Sequence, residues 1–193
     1  MFESFLRYMR TYVDLTTEEE EILVSVMFFR KIKRKQFFLV EGEICRYQAY
    51  VIKGCFRTYY TDNEGRDVNL MFSIENWWMG DLASYFVSEN SKCNIEALED
   101  SEILILEKQN LDILFNKIPK MERFFRILFQ NALISSQNRI INNLTLSAKE
   151  NYLIFQKKYP EFEQRIPQYH IASYLGITPE FLSQVRKQLS GRA

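Results

Sequence analysis

Between Gln168 and Lys187 the chain spaces hydrogen-bonding and cationic side chains at intervals suited to reading double-stranded DNA. Gln184 can form a bidentate pair with adenine N6 and N7, and Glu180 can accept from cytosine N4. Pro179 and Ser183 share the same exposed N-terminal end of that helix. Thr178, Arg186 and Lys187, with Tyr169 and His170 upstream, suit phosphate contacts, which fix register without specifying sequence. For His170 a packing role is the alternative to a DNA-side one.

Such chemistry needs a rigid carrier, and the apolar pattern supplies one. Ile171, Ala172 and Leu175 fall on one face of a short helix. Gly176 permits a sharp turn. Thr178 is placed to cap a second helix, and Pro179 to occupy its first position, where a missing N–H costs nothing. Ile177, Leu182 and Val185 complete the seam, and Ala172 suits a steep helix crossing with room only for a methyl group. This is the pattern of a helix-turn-helix whose second helix enters the major groove. The plainer alternative is a helical hairpin in a core, which does not need Ala, Gly and these aliphatics in one register.

Upstream elements must position this motif. From Pro119 to about Leu144 a long helical segment carries Met121, Phe125, Leu128, Ala132, Ser135 and Arg139 at spacings of three and four. A neighbouring face carries Phe124, Ile127, Ile134 and Ile141. So wide an apolar surface needs covering on two sides, and a second copy of the same helix is the simplest second cover. A third helix, Ser147 to Tyr159, leads to Pro160. Between Lys35 and Leu106 short β-rich runs (36–40, 47–52, 55–60, 68–72, 94–97 and 102–106) alternate with turn signals, predicting a small antiparallel barrel or roll. Residues 2–30 read as helical, with Thr16 and Thr17 ahead of Glu18–Glu21 resembling a capping box. The expected division is a β-roll with flanking helices over 1–118, a dimerisation helix over 119–145 and a helix-turn-helix over 146–193.

The 193-residue chain is 47% hydrophobic and 15% aromatic, enough for a sizeable core. Its formal net charge is zero. Residues 147–193 carry seven Lys/Arg against four Asp/Glu, a net +3 that favours a DNA-facing C-terminal end. No apolar run approaches a bilayer-crossing length, and Met1–Arg10 lacks a signal-peptide core, so a cytoplasmic location and no membrane partner are expected. Cys45, Cys55 and Cys93 match no zinc or iron–sulfur spacing, and no metal site is expected. With one histidine, outside the roll, a metal-dependent β-helix enzyme is unsupported, and no phosphate-binding loop or nucleophile motif occurs. A non-enzymatic protein is the expectation. Trp77, Trp78, Tyr85 and Phe86 offer either an apolar effector pocket or core packing.

Roll, long helix and helix-turn-helix together resemble the cyclic-AMP receptor / fumarate–nitrate regulator family of bacterial transcription factors. The signposts are Glu41-Gly42-Glu43, Tyr50-Val-Ile-Lys-Gly54, the Asn63-Glu-Gly65 turn, Trp78-Met-Gly-Asp-Leu82 and the C-terminal motif. The resemblance implies an α+β fold: an N-terminal cyclic-nucleotide-binding-like antiparallel β-roll, a long dimerisation helix and a C-terminal (winged) helix-turn-helix. It also implies a homodimer on a roughly palindromic site and contact with RNA polymerase. An effector pocket would comprise Gly80, Asp81, Leu82, Ser91 and Lys92, with Ser136 and Gln137 on the long helix facing a base. Nucleotide-binding members hold the ribose with Glu and the cyclic phosphate with Arg. Here Asp81 is one methylene shorter, and Ser91 stands where Arg is expected, removing a bidentate, charge-assisted contact. No cofactor is therefore assigned, and cyclic AMP is disfavoured as effector. Residues 1–30 contain no Cys, which excludes the N-terminal iron–sulfur cluster of the oxygen-sensing branch. A regulator without an effector, its roll a scaffold, is the alternative; another is a cyclic-nucleotide-responsive one.

Overall fold

The computed structural model describes residues 2–191. Its contacts divide the chain into two units. One runs to Tyr59 and resumes from Phe72 to Phe129; the other comprises Tyr60–Met71 and the chain from Gln130 onward.

The first unit begins with α1 (Glu3–Arg10) and α2 (Thr17–Ser25). Helix α2 starts at a capping box: the Thr16 hydroxyl accepts from the Glu19 N–H at 3.3 Å, and the Glu19 carboxylate accepts from the Thr16 N–H at 2.7 Å. Strands β1 (Met27–Ile32), β2 (Phe37–Leu39), β3 (Tyr47–Lys53), β4 (Phe56–Thr61), β5 (Asp67–Ser73) and β6 (Trp78–Met79) follow. Then come α3 (Leu82–Val87), β7 (Asn94–Ala97), β8 (Ser101–Glu107) and α4 (Lys108–Lys117). The strands form two four-stranded sheets, ordered β1-β8-β3-β6 and β2-β7-β4-β5, an open roll and not a closed barrel. Ala49, Tyr50, Val51, Phe56, Ile95, Ile103 and Leu104 are fully buried, consecutive strand residues facing opposite sides of their sheet. Helix α1 covers this core with Phe5, whose ring meets Tyr50 edge-on at 4.9 Å and Trp78 at 6.1 Å. Where β3 turns into β4, Gly54 sits at φ +112°, and a Cβ there would lie 2.0 Å from Ser101 Oγ. Only glycine fits both the backbone and the space.

Strand β1 corrects the helical reading of residues 2–30. Met-Phe-Phe-Arg-Lys-Ile has no clear period, and what makes it a strand is β8, paired from Met27↔Leu106 to Ile32↔Ser101. That partner is too remote in sequence to leave a local signal.

Helix α5 (Lys120–Thr145) buries Met121, Phe124 and Phe125 near its start. In the second unit it is followed by α6 (Ala148–Lys158), α7 (Phe162–Arg165), α8 (Gln168–Leu175) and α9 (Pro179–Ser190). Ser147 and Glu150 form a second capping box at α6. Tyr152, Phe155, Phe162, Ile166, Ile171, Ala172, Leu175, Leu182 and Val185 form the buried interior of these helices. The tip of the β4–β5 hairpin belongs to this unit. Helix α9 ends at Ser190, one residue before the described residues end.

Candidate functional site

The α8–α9 pair has the geometry of a helix-turn-helix. Gly176 closes α8 in the left-handed region at φ 70°, and its N–H reaches the Ser173 carbonyl at 3.1 Å. Ile177 N–H then reaches the Ala172 carbonyl at 3.0 Å. Thr178 caps α9, its hydroxyl accepting from the Phe181 N–H at 3.2 Å, and Pro179 opens the helix. Ala172 and Leu182 are fully buried where the helices cross, and the opposite face of α9 is exposed.

On that face Pro179, Glu180, Ser183, Gln184 and Lys187 are exposed. Thr178 is exposed too, its oxygen engaged in the cap. Arg186 is half-buried, with Nε 3.9 Å from the Glu163 carboxylate. Glu163 also accepts from the Tyr152 hydroxyl, and burial first and this contact second push that phenol up to about 12. Tyr169, at the start of α8, is 57% exposed. His170 is only 5% exposed, which corrects its placement among the phosphate contacts. Its ring lies against the Asn69 side chain, Nδ2 to Nδ1 at 3.3 Å, and the same amide donates to the His170 carbonyl at 3.3 Å. An imidazole so placed packs the motif.

The spacing of residues 168–187 gave no sign of the hairpin residues that hold α8. Ser173 Oγ donates to the Asp67 carbonyl at 2.7 Å and accepts from the Asn69 N–H at 3.0 Å. Arg139 of α5 donates to the Leu70 carbonyl at 2.6 Å and lies over the Tyr174 ring at 4.8 Å. The partners are mostly backbone atoms a hundred residues upstream of α8, so residue type carried little trace of them.

The effector cassette closes on itself. Asp81 caps α3, accepting from the Ala83 and Ser84 N–H groups at 3.0 and 3.3 Å. Its other oxygen accepts from the Ser91 hydroxyl at 2.8 Å. Ser91, 3% exposed, also accepts from the Cys93 N–H at 3.0 Å. Gly80 packs on Gln48, where a Cβ would meet Nε2 at 2.4 Å. Leu82 is half-buried and Lys92 exposed. Ser136 and Gln137 stand exposed on the part of α5 that belongs to the second unit. Trp78 and Tyr85 are core residues, whereas Phe86 is 50% exposed. A cyclic nucleotide needs a guanidinium for its phosphate and a free carboxylate for its ribose hydroxyl, and this loop offers neither, so its residues do not fit the nucleotide.

Cys45, Cys55 and Cys93 are free thiols. Among the described residues no cluster of His, Cys, Asp or Glu could hold a metal ion, and no helix is long and apolar enough to cross a membrane.

Comparison with known proteins agrees with this architecture. Residues 29–117 match the cyclic nucleotide-binding domain family. The chain is 26% identical to Regulatory protein HlyX of Actinobacillus pleuropneumoniae, over 84% of this chain and 72% of that protein. It superposes on FixK2 from Bradyrhizobium japonicum with TM-score 0.75 at 16% identity, covering 86% of each chain. On the catabolite activator protein of Thermus thermophilus the TM-score is 0.60 at 18% identity, over 94% of this chain and 86% of that one. The fold is thus the roll-and-helix fold of these two structures. Residues 29–117 match the cyclic nucleotide-binding domain family, and the chain as a whole is similar to members of the cyclic-AMP receptor / fumarate–nitrate regulator family.

Proposed function

We propose that this DNA-binding transcription regulator acts as a homodimer on a roughly palindromic site and does not answer to cyclic AMP. The observation that carries the reading is the exposed polar face of α9, with Glu180, Ser183, Gln184 and Lys187 raised on a buried α8–α9 seam. Glu180 and Gln184 read base edges; Lys187, Tyr169 and, once free of Glu163, Arg186 bind phosphates. The division of labour follows residues 1–118 as sensor-like roll, 119–145 as dimer helix and 146–193 as reader.

Dimerisation is supported by α5. Leu133, Ile134, Ile140, Ile141 and Leu144 are 53–80% exposed, an apolar stripe that a lone helix does not present to water without cost. A second copy supplies the matching stripe and brings two readers to one DNA. The protein works in the cytoplasm, contacts RNA polymerase and has no catalytic role. Selection of bound sequences from a random DNA pool tests the whole reading. An enriched inverted repeat is expected, and failure to enrich any sequence overturns it.

A further inference from the structure

Arg139 joins three elements of the second unit. Its Nη1 donates to the Leu70 carbonyl at 2.6 Å and the Asn69 carbonyl at 3.3 Å, and its guanidinium plane lies over Tyr174 of α8 at 4.8 Å. Ser173, next to Tyr174, is bonded on both sides of its hydroxyl to the same hairpin, at Asp67 and Asn69. The Asn69 side chain, 2% exposed, completes the join through His170. Helix α5 is thus tied to the hairpin tip and to the first helix of the reader through one planar group. Ile140 and Ile141, the next residues of α5, belong to its exposed stripe.

The chemistry of the join matters. A guanidinium can stack on a ring while donating in its own plane to two carbonyls, which fixes an angle; an ammonium fixes only a distance. We propose that Arg139, with Asn69 and Ser173, sets the orientation of the helix-turn-helix on α5, and so selects the half-site separation the dimer accepts. These are positioning residues that touch no base, and the proposal rests on the dimeric DNA-binding reading above. Adding one base pair between half-sites displaces the second by about 3.4 Å and turns it by about a tenth of a revolution. A reader held rigidly rejects that change, and a loosely held one tolerates it.

The test uses the full chain and duplexes carrying two copies of the selected half-site, their separation varied one base pair at a time, with affinity read by fluorescence anisotropy. The unmodified chain should favour one separation over its neighbours by about tenfold or more. In Arg139→Ala that preference should fall to about twofold, with base preference inside each half-site and the dimer mass unchanged. Arg139→Lys should not restore it. Should Arg139→Ala fail to fold, Ser173→Ala, which removes only the hydroxyl bridge, should flatten the profile in the same way. If the variants weaken every separation by one common factor, the join is merely structural and the proposal is overturned. If the unmodified chain binds no duplex, or binds single half-sites equally well, the dimeric reading fails first and takes the proposal with it.

Discussion

Gln184 and Arg186 lie two positions apart on α9, yet their surroundings give them different work. Gln184 is exposed on the face proposed to meet bases, whereas Arg186 is half-buried beside Glu163. Gln184→Ala should change preference at one base pair at a cost of about 1–3 kcal/mol. Arg186→Ala should instead weaken all sites alike and reduce the salt slope by about one. Anisotropy titrations over single-base variants at several salt concentrations separate the two, and identical behaviour would refute the assignment. Cys93 makes a second point at this scale. Burial first, then Asp81 and Glu41, hold its thiol up at about 11 against an ordinary 9.0. A raised pKa means less thiolate at neutral pH, roughly 100-fold less here, with reactivity recovering only as pH climbs. Alkylation by iodoacetamide followed by mass spectrometry should show Cys93 much slower than a free thiol at pH 7.5. His170 shows where residue type misleads: an imidazole in a DNA-binding motif invites a phosphate role, and only Asn69, far away in sequence, reveals that it is turned inward.

Elements were legible wherever their cause was local. The capping box at Thr16, the cap at Thr178, the turn at Gly176 and the long helix α5 depend on neighbours within a few residues, and the structure has them all. Strand β1 depends on β8, and the grip of the hairpin on α8 depends on backbone carbonyls, which every sequence possesses. Such causes leave no periodicity to find. The apolar stripe of α5 is the element with the clearest mutational consequence. Ile141 is 55% exposed, so Ile141→Glu disturbs little inside one chain while placing two like charges face to face in a dimer. Sedimentation equilibrium should show the variant shifting from dimer toward monomer at micromolar concentration, with its circular dichroism unchanged. An unaltered mass would remove α5 as the dimer surface.

At the scale of the whole molecule, the roll keeps the family's form while its cassette has changed chemistry. Sequence alone showed Ser91 in place of Arg, but not that Ser91 and Asp81 bond to each other. Calorimetric titration with cyclic AMP at tens of micromolar should therefore show no binding, and a clear micromolar isotherm would refute this. Asp81→Glu with Ser91→Arg would supply the longer carboxylate and the guanidinium that nucleotide-binding relatives use, and offers the converse experiment.

The Asp81–Ser91 bond has a consequence for how such a protein can be controlled. A diffusible ligand has a concentration that a cell can raise or lower, and a receptor built for it reports that number. Ser91 brings Asp81 a hydroxyl on a tether, held against the head of α3 by the chain itself. Its local concentration is set by covalent geometry and is the same in a starved cell as in a fed one. On the reading proposed above, a loop that carries its own guest has no cyclic nucleotide to count.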